Sequence, residues 1–443
     1  MHRPQFSAHE SIHSVAGMSL RRKVLLVSLG HPELVFGGSP VVCQELFNEL
    51  RTRDDVQCSM LAAVDREAGD AYQPRAGVTG FDGQDGVYLL HQADHDVWLH
   101  RNNEPMLVDA FITLLRAIEP DVVHFHHFLS IGVDLIGTVR LVLPECRILL
   151  TLHEFAAICV ADGHMVRRTD RSLCDHASPV RCHQCVPERQ PDEFMIRKLW
   201  LDHHLRQVDH FTCPSQFMIE PYVNWGIPRD RISHVTNGQR SRVVRPLLAS
   251  PIGPRNRFGF FGLLHDDKGV SVLLRAVNLL RDAGFAEFQV DINGGGIQHA
   301  SRAARGEIEA FQQAEQLLPP AQRIVSFNGA YSLDQIQSRM ARVDWTVVPS
   351  VWWEIFGLVI SEAWMFGRPV ICSNVGGMAE RVTHEVDGLY FEMGDAVSLA
   401  ATIKRACTED GLWDRLHAAV PEPPTRAAMA DGYLVLYTGR PGH

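Results

Sequence analysis

The sequence predicts an α/β protein with two doubly wound, Rossmann-like domains whose parallel sheets face a central cleft. Short apolar strands alternate with helical patterns in both halves of the chain, which is typical of parallel sheets covered by helices. Proline and glycine accumulate without periodicity at 239–257, where we expect a linker between the domains. The length of 443 residues also exceeds one ordinary core and suits two domains.

The first domain is expected at 23–238, after an N-terminal extension at 1–22. Its first strand is the apolar run KVLLVSL at 23–29, followed by a loop with Gly37-Gly38 and a helical pattern at 40–50. Strand, glycine-bearing loop and helix form the opening of a βαβ unit. Further strands are predicted at 122–128, 147–152, 210–213 and 232–235.

The second domain is expected at 258–420, where the same alternation restarts after the linker. A helix is predicted at 270–283, directly after a loop that contains Lys268. Strands are predicted at 258–261, 288–292, 324–327, 345–348 and 369–372. The C-terminal segment 421–443 contains a further helical pattern at 425–437.

Composition narrows the class of protein. Hydrophobic residues make up 46% and charged residues 21% of the chain, as in soluble globular proteins. The formal net charge of −10 argues against a nucleic-acid partner, because such proteins commonly carry a basic surplus. No apolar run is long enough to span a bilayer, and the extension lacks the pattern of a secretory signal. We therefore expect a cytoplasmic protein.

The stretch at 349–380 carries the chemistry. It follows the predicted strand 345–348, and ligands of open α/β sheets bind outside the carboxyl ends of strands. Gly357 allows a tight turn into a helix that begins near Leu358, where free N–H groups would bind an anion. Glu354 and Glu362 flank this helix start and can accept hydrogen bonds from sugar and ribose hydroxyls. Two glutamates at this spacing are more often solvated surface residues, and the surrounding strand–loop–helix pattern favours a site.

The order of several motifs resembles one known family over most of the chain, from Lys23 to about Tyr437. The motifs are Gly37-Gly38, PDVVHFH at 120–126, TLHEF at 151–155, CPS at 213–215, TNG at 236–238, FFGLLHDDKG at 260–269, GGG at 294–296, FNGAY at 327–331 and VDWTVVPS at 343–350, followed by the glutamate pair. In these motifs the chain resembles glycosyltransferase family 4, whose members are retaining enzymes of the GT-B fold.

The resemblance implies roles for individual residues. His153 would reach the donor sugar and the reacting centre, and Glu354 would bind the transferred sugar. The donor-binding residues would be Gly37, Gly38, Lys268, Phe356, Gly357, Leu358 and Glu362. The implied reaction moves a hexose from a UDP- or GDP-sugar to a polysaccharide, a lipid-linked acceptor or another glycan. It implies no catalytic metal, and at most peripheral contact with the inner face of a membrane. It also implies that the C-terminal helix of 421–443 crosses back to pack on the first domain.

Two departures from the family pattern leave alternatives open. Leu263 and Leu264 stand where the family usually has an arginine, and Glu154 follows His153 where an aspartate is common. A sugar-nucleotide-binding protein with weak or lost catalysis is therefore the alternative. Another enzyme of the same fold, such as an epimerase or a phosphorylase, is a third reading. A phosphorylase would need a lysine site for pyridoxal phosphate, and the sequence shows no such motif.

A cysteine-rich insertion is expected at about 157–190. Cys159, Cys174, Cys182 and Cys185 have the spacing C-x14-C-x7-C-x2-C, which suits a structural Zn²⁺ ion with four thiolate ligands. Nearby histidines could replace a thiolate, namely His164, His176 and His183. The alternative is four reduced thiols in a polar loop.

Three further groups have two readings each. His124, His126 and His127 end a strand, and packing is favoured over contact with an acceptor. Trp352 and Trp353 flank Glu354, and we expect them to wedge the loop in place rather than stack on a sugar. Arg197-Lys198 with the following LWL is a candidate for membrane contact, although a buried helix face is the favoured interpretation.

Overall fold

A computed structural model of the protein describes residues 21–35, 37–64, 77–92, 94–239, 254–332 and 335–439. Most of the extension predicted at 1–22 and most of the linker predicted at 239–257 lie outside the described residues. The described residues form two large, mainly parallel sheets and the helices that cover them.

The first sheet has eight strands in the order β10-β9-β8-β7-β1-β2-β4-β3. Every pair of neighbours is parallel except β3 with β4. The strands are β1 Arg22–Ser28, β2 Val56–Val64, β3 Gly77–Gly80, β4 Val87–His91, β7 Val122–Phe125, β8 Arg147–Thr151, β9 His210–Cys213 and β10 Ile232–His234, with a separate short hairpin β5 His95–Asp96 and β6 Arg101–Asn102. The order reverses between β1 and β7.

Helices cover both faces of this sheet. They are α1 Gly38–Leu50, α2 Pro105–Ile118, α3 Asp134–Val142, α4 Pro179–Cys185, α5 Pro191–Leu205 and α6 Ile219–Trp225. The central strands are buried over most of their length, because apolar side chains of β1 and β2 pack on both faces. Near-continuous apolar runs are what parallel strands with two covered faces require.

The second sheet has six parallel strands in the order β13-β12-β11-β14-β15-β16, which is the classical nucleotide-binding order. The strands are β11 Arg257–Phe261, β12 Gln289–Asn293, β13 Val325–Phe327, β14 Trp345–Val348, β15 Val370–Ser373 and β16 Gly388–Phe391. The helices are α7 Val270–Asp282, α8 Arg302–Leu317, α9 Ile336–Met340, α10 Leu358–Met365, α11 Gly376–Arg381, α12 Ala396–Thr408 and α13 Leu412–Ala418. The order reverses between β11 and β14.

The last helix, α14 Arg426–Thr438, lies against the first domain although it follows the second in sequence. Arg426 forms ion pairs with Glu49 and Glu45 of α1 at 2.9 and 3.6 Å. Tyr433 and Tyr437 are buried in the core of the first sheet. The two domains are thus joined twice, by the chain near 239–257 and by the returning C-terminal segment.

The strands at 210–213 and 345–348 have the predicted bounds, and the other predicted strands are present with bounds shifted by one to three residues. Strands β2 to β6 and β16 were not identified from the sequence. Two of them, β5 and β6, have only two residues each, and β3 has four residues and begins with glycine. In these three strands the alternation or apolar run that marks a strand is too short to recognise.

Candidate active site between the two domains

The loops at the carboxyl ends of strands from both sheets meet in the cleft. Ser215, after β9, donates a hydrogen bond from its hydroxyl to the carbonyl of Ile355, after β14. The carboxylate of Glu380 accepts the backbone N–H groups of Gln216 and Phe217 at 2.8 and 2.9 Å. The two points at which the strand orders reverse face this cleft, and such points are the usual ligand sites of doubly wound sheets.

Glu354 is the central acidic residue of the cleft. It lies in the loop after β14, and only 7% of the residue is exposed. Its Oε2 atom accepts from Lys268 Nζ at 2.7 Å, and from Ser350 Oγ and Trp352 Nε1 at 3.1 Å each. A buried carboxylate needs such partners, because an unpaired charge is costly to remove from water. The structure thus brings together the predicted residues Glu354 and Lys268.

Lys268 reaches Glu354 because its own loop is pressed against the neighbouring one. Gly269 has φ +69°, a left-handed conformation, and a Cβ atom there would lie 1.8 Å from the carbonyl oxygen of Pro349. Only glycine combines this backbone with so close an approach. Lys268 Nζ also lies 5.1 Å from the centre of the Trp352 ring.

The helix start predicted near Leu358 is present as the N-terminus of α10, and Gly357 precedes it with φ +67°. A Cβ atom on Gly38 would lie 3.2 Å from Leu358 Cδ1, so the glycine loop of the first domain comes directly over this helix start. Arg381 lies beneath it and donates to the carbonyls of Phe356 and Gly357 at 2.9 and 3.0 Å. Burial lowers the pKa of Arg381 to about 9.

Glu362 lies one turn inside α10 and is half-buried. Its charge acts on the phenol of Tyr331, whose pKa is raised by burial first and by Glu362 second. Glu362 is thus near the FNGAY segment after β13. No predicted donor residue lies outside the described residues.

His153 follows β8 on the opposite wall of the cleft. Its Nε2 atom lies 3.2 Å from Nδ1 of His126, and the two rings stack with their centres 5.4 Å apart. Burial, with a contribution from His127, lowers the pKa of His153 to about 3, so the ring is neutral near pH 7. The second nitrogen of His126 is buried without a hydrogen-bond partner.

The three histidines after or within β7 are packing residues, as favoured from the sequence. His124 and His126 are fully buried, and His127 is 5% exposed. His124 bonds Tyr437 Oη at 2.8 Å and Thr151 Oγ1 at 2.7 Å, which joins α14 to the sheet. His127 Nε2 lies 3.1 Å from Glu154 Oε1, the residue that departs from the family pattern.

The two tryptophans fix the loop that carries Glu354. Trp352 is 8% exposed and packs with the core of the first domain. Trp353 donates from Nε1 to the carbonyl of Cys174 at 3.1 Å and stacks on Phe217 with ring centres 6.2 Å apart. These contacts agree with the expected wedging role.

The four cysteines of the insertion come together. Cys159, Cys174, Cys182 and Cys185 are free thiols that line one cavity within the insertion, and Cys182 and Cys185 lie on α4. Within the part of the chain that the structure describes, no three His, Cys, Asp or Glu side chains are arranged as metal ligands. The zinc assignment therefore stays a prediction.

Arg197 is not a membrane-contact residue. It is 4% exposed and donates to the carbonyls of Trp98, Ala157 and Ala156 at 2.9, 3.0 and 2.7 Å. Its burial corrects the candidate for Arg197. The favoured alternative of a buried helix face holds for Arg197 and Leu201, whereas Lys198 and Leu199 are exposed. Among the described helices, none combines the length and apolar character that a bilayer crossing requires.

Three charged residues of the site were not identified from the sequence: Arg381, Glu380 and Asp267. Glu380 is the last residue of the predicted stretch and Arg381 follows it, both at the end of α11, and nothing in the local sequence indicates contact with another loop. Asp267 immediately precedes Lys268, and its contacts come from a segment about 100 residues earlier in the chain.

Two family profiles match the chain. The profile described as Glycosyltransferase Family 4 matches residues 36–239, and the profile described as Glycosyl transferases group 1 matches residues 255–409. The first match falls on the first sheet domain and the second on the second. Both walls of the cleft therefore lie within matched residues.

The curated relatives are glycosyltransferases. The chain is 32% identical over 302 residues to the D-inositol 3-phosphate glycosyltransferase of Corynebacterium jeikeium, covering 67% of this chain and 66% of the relative. It is 38% identical over 88 residues to the lipopolysaccharide core biosynthesis glycosyltransferase LpsD of Rhizobium meliloti, covering 19% of this chain and 26% of the relative. The chain thus spans between 26% and 66% of the length of these relatives.

Solved structures share the architecture. HepE from Anabaena in complex with UDP and glucose has a TM-score of 0.61 at 15% identity, over 95% of this chain and 100% of the other. Sucrose-phosphate synthase from Thermosynechococcus elongatus has a TM-score of 0.65 at 19% identity, over 94% and 98%. At these identities the likeness shows the fold alone. It confirms the predicted class, two Rossmann-like domains facing a cleft in the GT-B arrangement.

Proposed function

The chain belongs to glycosyltransferase family 4, and on this premise we propose that it is a hexosyltransferase that uses a nucleoside-diphosphate sugar. The donor is a UDP- or GDP-sugar, and the acceptor is a polysaccharide, a lipid-linked sugar or another glycan. Transfer retains the anomeric configuration. The observation that carries the proposal is the ion pair of Lys268 with Glu354 beside the N-terminus of α10, at the reversal point of the second sheet.

The donor lies across the start of α10. The free N–H groups of a helix N-terminus, together with Lys268, bind the diphosphate. Gly38 supports this placement, because it comes within contact distance of Leu358 and leaves no side chain in the way. Glu362 accepts the ribose hydroxyls, and Glu354 accepts hydroxyls of the transferred sugar. Complexes of HepE, which shares the fold, with UDP and with UDP-glucose support a nucleotide-sugar donor.

The chemical step breaks the bond between the sugar and the diphosphate. Negative charge grows on the leaving diphosphate, and Lys268 and the helix dipole stabilise it where it develops. The acceptor hydroxyl attacks from the same face, and the leaving phosphate oxygen takes its proton. Lys268 exchanges its ion pair with Glu354 for one with the diphosphate, which releases Glu354 to bind sugar hydroxyls.

His153 contributes from the first domain as a neutral group. Its pKa of about 3 leaves it uncharged near pH 7. Nε2 of His153 is engaged by His126, so the remaining ring nitrogen, Nδ1, is the one that can bond the donor sugar. A neutral imidazole with its proton on Nδ1 donates a hydrogen bond without adding charge to the cleft.

The same site is compatible with a protein that binds sugar nucleotides and has weak or no catalysis. Leu263 is 46% exposed at the position where an arginine is usual in the family. This departure removes one cation from the diphosphate side. Binding without transfer is the outcome that would support this second candidate.

A two-stage experiment tests the proposal. Thermal shifts with UDP, GDP and ADP identify the base, and hydrolysis and transfer assays with the corresponding hexose donors identify the reaction. We expect stabilisation by one nucleoside diphosphate and slow donor hydrolysis without an acceptor. Glu354→Gln should cut turnover strongly, whereas Glu287→Gln, at an exposed position, should not. No stabilisation and no hydrolysis with any donor would contradict the proposal.

If the acceptor is lipid-linked, the membrane face is the outer side of α5. Met195, Ile196 and Leu199 are 56%, 58% and 67% exposed there, and apolar side chains on a helix surface suit peripheral attachment. Met195→Glu with Leu199→Glu should weaken binding to vesicles of phosphatidylethanolamine and phosphatidylglycerol. Leu317→Glu, at a residue that is 87% exposed on the second domain, is the control. Equal binding by both variants would remove this face from the proposal.

A further inference from the structure

The cysteine-rich insertion (157–190) belongs to the first domain, yet it contacts the loop of the second domain that carries Lys268. Arg171 Nη2 donates to Asp267 Oδ1 at 2.6 Å, and His164 Nδ1 lies 2.9 Å from Asp267 Oδ2. Asp267 is 4% exposed and directly precedes Lys268. The insertion therefore contacts the donor loop at Asp267, the residue directly before the cation Lys268.

The same insertion contacts the second donor loop. The carbonyl of Cys174 accepts from Trp353 Nε1 at 3.1 Å, and the His164 ring lies 4.5 Å from the ring of Trp352. These tryptophans immediately precede Glu354. The two loops are also joined to each other, since the N–H of Val351 donates to the carbonyl of Asp267 at 2.8 Å.

The contacts of the insertion with Asp267 affect the net charge that a bound diphosphate meets in the donor site. Asp266, Asp267 and Glu354 are carboxylates in the two loops, and an anionic diphosphate is repelled by carboxylates that have no cation. Burial alone would raise the pKa of Asp267, but the hydrogen bonds from His164, His265 and Arg171 hold it well below its ordinary range, so the group is ionised. Arg171 balances this charge from the opposite domain.

The backbone of the insertion is fixed in an unfavourable conformation at the contact. Arg171 has φ +60°, and Asp162 and Met165 have φ +57° and +50°. Non-glycine residues adopt the left-handed region at a cost, and they persist there only where surrounding contacts impose it. The docked position of Arg171 is therefore specified by its environment.

We propose that the cysteine-rich insertion is a positioning element of the donor site. Arg171 and His164 bind Asp267, and Cys174 binds Trp353, so that the loops of Lys268 and Glu354 take their donor-binding arrangement when the insertion is docked across the cleft. The inference rests on the proposed function for its ligand, a nucleoside diphosphate or its sugar. Arg171 acts through Asp267 and is a positioning residue rather than a catalytic one.

Arg171→Ala tests the proposal, with Arg168→Ala as the matched control. Arg168 is three residues earlier in the same insertion and pairs only within it, with Glu188 at 3.4 Å, among the contacts given by the described residues. The ligand is the nucleoside diphosphate, among UDP, GDP and ADP, that the wild type binds most tightly in calorimetry. We expect Arg171→Ala to weaken binding roughly three- to tenfold and to raise the donor KM more than it lowers kcat.

Hydrogen exchange gives a readout that does not depend on the ligand. In Arg171→Ala the amide of Val351 should exchange faster, because its acceptor is the Asp267 carbonyl, while amides of β1 and β11 stay protected. Arg171→Lys should recover part of the binding. Exchange and binding like wild type in Arg171→Ala would overturn the positioning role.

The outcomes separate this inference from the proposed function. If the wild type binds no nucleoside diphosphate but Arg171→Ala still speeds exchange at Val351, the proposed function fails and the docking of the insertion stands. If the wild type binds and Arg171→Ala binds equally, the function stands and this inference fails. If Arg171→Ala loses protection throughout the protein, the same two measurements, binding of the nucleoside diphosphate and exchange at Val351, are made on His164→Gln instead.

Discussion

Lys268 Nζ lies 2.7 Å from Glu354 Oε2, although the two residues are 86 positions apart in the chain. Lys268 follows β11 and Glu354 follows β14, and these neighbouring strands flank the point at which the order of the second sheet reverses. The pair therefore lies where a doubly wound sheet opens to a ligand. The ion pair satisfies a buried carboxylate in the absence of substrate and presents a cation to an incoming diphosphate.

The first prediction concerns this pair. Lys268→Ala removes the cation that stabilises the leaving diphosphate, and we expect kcat to fall about 100-fold or more. It also leaves the buried carboxylate of Glu354 without its cation, so the melting temperature should fall. In the double variant with Glu354→Gln the loss of stability should be smaller than the sum of the single losses. Additive losses would show that the two side chains are not coupled.

The second prediction separates the two glutamates. Glu354 faces Lys268 and the transferred sugar, whereas Glu362 lies one turn inside α10 near Tyr331. Glu354→Gln should lower kcat strongly, and Glu362→Gln should mainly weaken donor binding by about 10-fold, as expected for a lost charged hydrogen bond. Steady-state kinetics and calorimetry with the nucleoside diphosphate measure the two effects. Glu309→Gln, at an exposed position of α8, is the control.

The sequence predicted the second sheet more completely than the first. Strands such as β14 are continuous apolar runs bounded by turn residues, and the glutamates after β14 follow at fixed spacing. The first sheet contains β2, whose run includes Gln57 and Ser59, and β3, with two glycines, and neither gives a clean periodicity. Local pattern finds such elements only when they are regular.

The contacts across the cleft were beyond sequence reasoning. Arg171 and Asp267 are 96 positions apart and belong to different domains, and Tyr437 reaches His124 over 313 positions. Nothing in the residues near either partner specifies the other. Loop positions arise from packing, which a pattern of apolar residues does not encode. The return of α14 to the first domain was expected from the family resemblance, but its individual contacts were not.

The third prediction concerns pH and the buried histidines. Burial and the neighbouring His153 lower the pKa of His124 to about 3. In the unfolded chain a histidine titrates near its ordinary value of about 6.5, so below that pH the unfolded state binds a proton that the folded state excludes. The contribution of neutral His124 to the free energy of unfolding is therefore fully present above pH ~6.5. It is lost as the pH falls towards 3, at about 1.4 kcal/mol per pH unit.

Between pH 7 and pH 5, the free energy of unfolding should therefore fall by about 2 kcal/mol less in His124→Gln than in the wild type. The variant will be less stable at pH 7, because Tyr437 and Thr151 lose their bonds to the ring. Urea unfolding at both pH values measures the difference. His299→Gln, at an exposed residue, should follow the wild type. An unchanged pH dependence in His124→Gln would contradict the assignment.

The fourth prediction concerns the thiols of the insertion. The segment that carries Arg171 and His164 has a polar sequence and must be ordered to reach Asp267, and ordering a backbone costs about 1–2 kcal/mol per residue. Cys159, Cys174, Cys182 and Cys185 line one cavity as free thiols. The N–H of Arg168 donates to Cys185 Sγ at 3.2 Å, and the thiol of Cys174 donates to the carbonyl of His176 at 3.2 Å.

Four thiolates that share a cavity suit Zn²⁺, and a bound ion would offset the cost of ordering. Their side chains would have to turn towards one point, since no three of the described His, Cys, Asp or Glu side chains are arranged as ligands. We predict one zinc ion per chain in freshly purified protein. Cys182→Ser should lower the zinc content and the melting temperature, whereas Cys407→Ser, outside the cluster, should leave the zinc content unchanged. Zinc well below one ion per chain, with all four thiols titrating freely in native buffer, would reject the metal and leave the glycosyltransferase assignment as it stands.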